Sequence, residues 1–262
     1  MRGTLLIVAA LTLSLLYSGV ALAGAPSNDN VANALDVAKL PFSHTVDITQ
    51  ATQEPDDLHC GTIPGGNTVW YKITPARDLT IGFHTGTEVE ELSLSIFAGS
   101  PASLIMLYCS YSPYNSLEAA AGTTYYLQMA TCCGSPGGPV TITIQDVPDL
   151  SVDLRIERRG LVGEAGAAKV SGKVRCNRST PPGSGLTVQG TLTQGRARGW
   201  LVPVHFADGC SAKWTSWSTT VQLFSGDGFS AGKATLNATA FACDEFDTCA
   251  NPVTEMGEAR LR

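Results

Sequence analysis

The sequence predicts an all-β protein made of two antiparallel β-sandwich domains that are stabilised by disulfide bonds. The first observation is an alternation of apolar and polar residues, with a period of two, along most of the chain. The second is the turn chemistry between these segments, since the 262 residues include 27 glycines and 14 prolines. The third is the even number of cysteines, eight in all, which suits oxidised pairs in an exported chain.

The N-terminus carries the pattern of a secretory signal peptide over residues 1–23. A positively charged start is followed by a predominantly apolar run at 5–16, and residues 21–23 match a cleavage site. An uncleaved membrane anchor is the alternative, because the chain carries no charge from the apolar run to the cleavage site. We favour cleavage after Ala23, which predicts a secreted, extracellular protein with no stable membrane span once the signal is removed.

Short strands are predicted one after another along the mature chain. In the first half they cover residues 68–73, 79–83, 92–97, 123–129 and 140–144. In the second half they cover residues 152–156, 168–176, 186–194 and 234–242. Turns rich in glycine and proline separate the segments, and a helix of one or two turns at most is expected near residues 31–40.

Charge and cysteine content divide the chain at residues 148–150, which we interpret as a linker between domains at 24–147 and 151–262. Residues 24–150 hold 13 acidic and 3 basic side chains, whereas residues 151–262 hold 10 acidic and 13 basic ones. Four cysteines lie on each side of the division. The opposite charges suggest that the domains dock on each other or attract different partners. The overall net charge of −6 argues against a nucleic-acid partner.

All the cysteines are predicted to form disulfides: Cys60, Cys109, Cys132, Cys133, Cys176, Cys210, Cys243 and Cys249. In the second domain we expect the pairs Cys176–Cys210 and Cys243–Cys249. In the first, Cys60 and Cys109 are each expected to bond one of the adjacent Cys132 and Cys133, because vicinal cysteines rarely bond each other. A zinc site is not indicated, since no C-x-x-C motif occurs and no histidine stands at ligand spacing.

A family resemblance supports the interpretation of the first domain. The residues that carry it include Asn28-Asp29-Asn30, Thr45-Val46-Asp47, Asn67-Thr68-Val69-Trp70-Tyr71 and Gly122-Thr123-Thr124-Tyr125-Tyr126. Residues 28–146 thereby resemble the bacterial pre-peptidase C-terminal (PPC) domain, a jelly-roll-like β-sandwich of secreted and surface proteins. The resemblance implies an accessory role beside a peptidase or another exported partner. Some members of that family bind calcium, polysaccharide or protein fibres, so the resemblance also implies that this domain binds such a ligand.

The second domain resembles, over fewer residues, a small immunoglobulin-like domain of secreted actinobacterial proteins. The matching residues lie at 171–176 and 190–194, and Cys210 followed by Trp214 also fits. This resemblance implies an Ig-like sandwich and no known chemistry.

No catalytic residue is predicted. Residues 228–232 match the G-x-S-x-G motif of serine hydrolases, but no histidine follows Ser230 and no helix is predicted after it. Calcium is the one cofactor considered, because oxygen-rich clusters suit that ion. The residues that would bind it are Asp29, Asp56, Asp57, Glu88 and Glu90. The alternative is that these carboxylates belong to solvated loops, and in that case no cofactor is expected.

Aromatic side chains are the predicted ligand-binding groups, because exposed tryptophan and tyrosine stack on sugar rings or anchor protein partners. The candidates are Trp200, Trp214, Trp217, Tyr111 and Tyr114. Trp214 and Trp217 are an odd number of residues apart, so we expect them to face opposite sides of one strand. The alternative is that these residues pack in the interior.

Taken together, these patterns predict a secreted, non-catalytic binding, adhesion or accessory module. Its partner would be an extracellular polysaccharide, cell-wall material or another protein. Two alternatives stay open. One is a secreted hydrolase with an unrecognised site, or an inhibitor of a hydrolase. The other is a structural component of the cell envelope.

Overall fold

A computed structural model describes residues 24–54, 57, 60, 65–87, 89 and 91–262. The predicted signal peptide at 1–23 lies outside the described residues. Within them the protein is all-β, with two short 3₁₀ turns at Val31–Asn33 and Glu164–Gly166 as its only helical elements. No helix in this part of the chain has the length and apolar character needed to cross a bilayer.

The strands are short and follow one another closely. Their bounds are β1 Leu35–Asp36, β2 Phe42–Asp47, β3 Gly65–Ile73, β4 Leu79–Thr87, β5 Leu92–Ser100, β6 Ser103–Ser110, β7 Tyr114–Ala119, β8 Tyr125–Cys132, β9 Pro139–Asp146, β10 Val152–Ile156, β11 Arg159–Val162, β12 Ala168–Cys176, β13 Leu186–Gln194, β14 Ala197–His205, β15 Thr215–Ser225, β16 Gly232–Ala242 and β17 Val253–Leu261. Every segment predicted to be a strand overlaps one, and β10, β12 and β13 have the bounds that the alternation predicted.

The first half of the chain forms two sheets around one core. A five-stranded sheet has the order β1-β3-β8-β5-β6, and a four-stranded sheet has the order β2-β9-β4-β7. β1 and β3 are parallel, and the other neighbouring strands are antiparallel. The two sheets bury one apolar cluster between them, which includes Tyr71, Ile96 and Leu127 of the first sheet and Phe83, Ile142 and Ile144 of the second. A smaller buried cluster on the other face of the first sheet consists of Ala34, Trp70, Phe97 and Tyr126.

The second half closes into a barrel, which corrects the prediction of an Ig-like sandwich. Seven strands follow the order β12-β11-β17-β16-β13-β14-β15, and β15 pairs back with β12 from Ala168–Val221 to Val174–Thr215. β10 extends this sheet beside the second part of β12. A sandwich and a barrel both alternate inward and outward side chains along each strand, so the alternation alone could not distinguish them.

The predicted linker separates two groups of strands that do not pair with each other in the part of the chain that the structure describes. Among the described residues, the strands up to Asp146 pair only with one another, and so do the strands from Val152 onward. The domain boundaries at 24–147 and 151–262 are consistent with this pairing and stay a prediction.

Three disulfides are present, Cys60–Cys109, Cys176–Cys210 and Cys243–Cys249. The two pairs in the second half confirm the prediction. In the first half the expected pairing is corrected, because Cys60 and Cys109 bond each other, and Cys132 and Cys133 remain thiols.

The strand order explains why Cys109 does not reach Cys132. Cys109 lies on β6 opposite Ser95 of β5, and Ser95 pairs in turn with Gln128 of β8. Cys132 is therefore two strands away, at about 4.8 Å per strand, and four residues further along β8. A disulfide requires Cα atoms within about 7 Å of each other, so this pair is out of range.

Candidate functional site

The predicted aromatic residues do not form one site. Trp217 is 3% exposed and packs inside the barrel. Trp214 is half-buried, and the guanidinium carbons of Arg155 and Arg175 lie 4.3 Å and 4.8 Å from its ring centre. Trp217 thus points into the barrel from β15, whereas Trp214 precedes this strand, which begins at Thr215. Trp200 is 56% exposed, and of these three tryptophans it is the one whose ring is accessible for stacking on a ligand.

The two tyrosines lie in the first half, away from Trp200. The ring of Tyr114 stacks on His84 with centroids 4.4 Å apart and meets Phe246 edge-on. The hydroxyl of Tyr111 donates a hydrogen bond of 3.2 Å to the carbonyl oxygen of Cys60. Tyr114 is therefore engaged in a contact between the two halves, and Tyr111 is partly engaged at its hydroxyl.

The predicted calcium ligands Asp29 and Asp57 hold a loop against β3. The Asp29 carboxylate accepts hydrogen bonds from the backbone amide and the hydroxyl of Thr52, both 2.6 Å long. The Asp57 carboxylate accepts hydrogen bonds of 2.9 Å from the backbone amide of Glu54 and the hydroxyl of Thr68. These bonds account for a structural role, and calcium binding stays a prediction. The other predicted ligands, Asp56, Glu88 and Glu90, lie outside the described residues.

Trp200 lies on the outer face of the barrel, in a groove of about 490 Å³. Its indole ring stacks on Phe224 with centroids 4.9 Å apart and an interplanar angle of 29°. This pairing holds the indole in place while leaving more than half of the side chain accessible. The groove is lined by Gln189, Thr191, Trp200, Gln222, Asn237 and Thr239, together with backbone and apolar neighbours.

The register of five strands places these side chains in a row. Directly opposed residues run from β15 to β17 in the order Gln222, Trp200, Thr191, Asn237 and Met256. Because successive strands are about 4.8 Å apart, the row extends roughly 19 Å across the barrel. A ligand that lies along this row would cross all five strands.

The chemistry of the groove is that of an aromatic platform flanked by amides and hydroxyls. None of the described residues that line it is ionisable. The side-chain oxygen Oδ1 of Asn237 is shielded from solvent and has no hydrogen-bond partner. Such an unsatisfied acceptor costs free energy, which rotation of the Asn237 side chain towards a ligand hydroxyl in the groove would recover. The site therefore suits a neutral ligand that offers hydroxyl donors and apolar C–H faces.

Trp200 was predicted from its residue type, whereas its neighbours in the groove were not predicted. Gln189, Thr191, Gln222 and Asn237 occupy outward positions of alternating strands, where polar residues are expected in any half-buried sheet. A signal was present in the amide side chains on three separate strands, but only the strand pairing shows that they surround the same tryptophan.

One group of potential metal-ligating side chains lies elsewhere. Among the described residues, the only three such groups whose ligand atoms come within 4.8 Å of one another are Glu91, Cys132 and Cys133. They stand at the ends of β5 and β8 in the first half of the chain.

Comparison with known proteins assigns the chain to no family. No family model matches it, and no curated protein matches it. The PPC-like resemblance therefore stays a prediction, as does the Ig-like one in everything but its sandwich fold, which the barrel corrects.

Several solved structures align with this chain at low similarity. A periplasmic inhibitor of g-type lysozyme from Aeromonas hydrophila, PliG, aligns at 14% identity over 44% of this chain and 96% of its own, with a TM-score of 0.31. A GH2 β-galacturonidase from Eisenbergiella tayi aligns at 11% identity over 73% of this chain and 35% of its own, with a TM-score of 0.25. The chain thus spans about a third of that glycosidase, and TM-scores this low assign no function.

Proposed function

We propose that this protein is a secreted, non-catalytic module that binds a neutral polysaccharide along the outer face of its barrel. The observation that carries the proposal is the exposed Trp200, which lines a groove with uncharged polar walls and stacks on the neighbouring Phe224. Indole rings favour the apolar C–H faces of sugars, and the amides beside the indole can exchange hydrogen bonds with the hydroxyls at the sugar's edge.

The shape of the groove supports an extended ligand. The row from Gln222 to Met256 is open along the surface and crosses five strands, so successive sugar units of one chain would meet successive side chains. The lack of ionisable residues among the described lining favours a neutral polysaccharide over one that carries carboxylates or sulfates.

Location outside the cytoplasm belongs to the same proposal. Three disulfides support it, because such bonds form and persist in oxidising compartments. An extracytoplasmic position would also give the module access to cell-wall or environmental polysaccharides.

The decisive experiment is affinity electrophoresis and calorimetry against a panel of neutral and charged polysaccharides. We expect binding to at least one neutral polysaccharide and a fall in affinity of at least tenfold for Trp200→Ala, equivalent to about 1.4 kcal/mol. The matched control is Tyr108→Ala, an exposed aromatic residue on β6 in the first half, which should bind as the wild type does.

Two results would overturn the proposal. The first is binding restricted to charged polysaccharides. The second is that the wild-type protein binds no polysaccharide but binds a hydrolase, and that Trp200→Ala binds this hydrolase equally well. That result would favour the inhibitor alternative.

A further inference from the structure

Two adjacent thiols and a carboxylate converge at one end of the five-stranded sheet. The Sγ atoms of Cys132 and Cys133 are 2.7 Å apart, and Cys132 Sγ lies 3.6 Å from Glu91 Oε2. All the potential ligand atoms of the three residues fall within 4.8 Å of one another. Three groups that carry negative charge when ionised are thus close enough together to bind the same metal ion.

The fold brings these residues together from different strands. Thr131 of β8 pairs with Leu92 of β5, and the backbone amide of Cys132 donates a hydrogen bond of 3.3 Å to the carbonyl of Glu91. Neighbouring strand residues normally point to opposite faces. Cys133 instead has a left-handed backbone with φ of 61°. This conformation places its thiol on the same side of the chain as the thiol of Cys132.

The cluster opens onto a cavity of about 500 Å³. Cys132 is buried, whereas Cys133 is exposed, so the site combines a fixed ligand with one that solvent can reach. Tyr111, Pro113, Leu92 and Thr85 line the rest of the cavity. An ion bound by the cluster would therefore keep an open side that faces a partly apolar space.

We propose that Glu91, Cys132 and Cys133 form a three-ligand site for a thiophilic divalent cation, zinc(II), with its remaining position open to the cavity. Thiolates and carboxylates are zinc ligands, and three protein ligands with one open position is a known zinc arrangement. Binding breaks no bond except the two S–H bonds, whose protons pass to solvent as the two Zn–S bonds form.

The geometry requires one adjustment. With Zn–S bonds of about 2.3 Å in a tetrahedral site, the two sulfurs would lie about 3.8 Å apart. They are 2.7 Å apart without the ion, so they must separate by about 1 Å. Because Cys133 is exposed, rotation of its side chain can supply this movement without disturbing the core. Spacing along the chain gave no indication of zinc, because Glu91 is 41 residues from Cys132.

The experiment uses protein that is purified from an oxidising compartment with its disulfides intact. Thiols are counted with a chromogenic disulfide reagent before and after zinc is added, and zinc binding is measured by equilibrium dialysis. Cadmium(II) serves as a spectroscopic probe, because thiolate coordination gives an ultraviolet charge-transfer band. We expect one zinc ion per chain, two reactive thiols without zinc, and protection of both thiols with it.

Variants separate ligation from general effects on folding. Cys133→Ser, at an exposed position, should fold normally and weaken zinc binding by more than about a hundredfold. Glu91→Gln should weaken it by about tenfold or more. The matched control is Glu118→Gln, an exposed carboxylate on β7, which should bind zinc as the wild type does.

Either of two outcomes would overturn the proposal. One is that mass spectrometry finds Cys132 bonded to Cys133 in the natively purified protein. The other is that zinc affinity in Cys133→Ser equals that of the wild type. Neither outcome depends on whether the barrel groove binds polysaccharide.

Discussion

Phe246 meets Tyr114 edge-on across the join between the two halves of the chain, with ring centroids 5.9 Å apart. Phe246 is held in the loop that the Cys243–Cys249 disulfide closes, and its amide donates a 2.9 Å hydrogen bond to Asp244. The Asp244 carboxylate is fully buried and is paired with Arg178 at 2.6 Å. This loop therefore presents an aromatic contact to the first half, where the sequence suggested attraction between opposite charges.

We expect Phe246→Ala to loosen the join between the halves. The ring is almost fully buried and packs beside Gly82, where an added Cβ would come within 3.0 Å of it. Truncating a buried phenylalanine costs about 3–5 kcal/mol when its site cannot collapse. Small-angle scattering should show a larger radius of gyration, and denaturant unfolding should separate into two transitions.

The control for this change is Phe241→Ala, which removes an exposed ring on β16 and should leave the unfolding profile unchanged within about 0.5 kcal/mol. High salt should not expand the wild-type protein, because an aromatic contact is not screened. Expansion of the wild type in salt, with no effect of Phe246→Ala, would instead support docking by charge.

The two disulfides of the second half should differ in their contribution to stability. Cys176 and Cys210 are separated by 34 residues, whereas Cys243 and Cys249 are separated by 6. Loop-closure entropy then predicts losses of about 4 kcal/mol and about 2 kcal/mol when each pair is replaced by serine. Denaturant unfolding of the two double variants, each compared with the wild type, measures the difference. Equal losses would show that chain entropy is not the main term.

The sequence was sufficient to find strands that alternate cleanly and insufficient where the alternation breaks. β12 and β13 were located to the residue because their inward positions are apolar. β6 was missed because Ile105 and Leu107 are exposed, so its apolar residues do not mark one buried face. In β15 the inward position at Thr219 is polar, which weakens the pattern in the same way.

Both candidate sites depend on strand pairing, which a single sequence does not supply. Trp200 was recognised by its residue type, but its neighbours Gln222 and Asn237 are known only from the register of β14 with β15 and of β13 with β16. In the same way, Glu91 joins Cys132 only because β5 pairs with β8. The alternation along a strand predicts which face of the sheet a side chain occupies. The order and register of the strands decide which side chains are neighbours on that face.

Asn237 offers a test in which binding and stability should change independently. Because its shielded Oδ1 makes no hydrogen bond, Asn237→Ala removes no partner from that atom and should alter the free energy of unfolding by less than about 0.5 kcal/mol. Its affinity for the polysaccharide that the wild type binds should fall by about tenfold. Calorimetry and denaturant unfolding on the same samples give both values.

The control for Asn237 is Thr235→Ala, an outward residue on the same strand that does not line the groove. It should change neither quantity. A marked loss of stability in Asn237→Ala with unchanged affinity would show that this amide supports the barrel and has no part in ligand binding.

Tyr71 should make the protein sensitive to alkali. Its ring is fully buried, its hydroxyl lies 3.0 Å from His44 Nδ1, and burial raises its pKa from 10.0 to about 12. Since the folded protein favours the uncharged phenol, this contribution is fully present below pH 10 and is lost as the pH rises from 10 towards 12. The shift corresponds to about 3 kcal/mol.

Denaturant unfolding between neutral pH and pH 11 measures this loss. Tyr71→Phe should be less stable at neutral pH, by about 1 kcal/mol for the lost hydrogen bond, yet its stability should fall less steeply at alkaline pH. Tyr108→Phe, at an exposed position, should follow the wild type throughout. If Tyr71→Phe loses stability above pH 10 as steeply as the wild type does, another group must be responsible for the alkaline sensitivity.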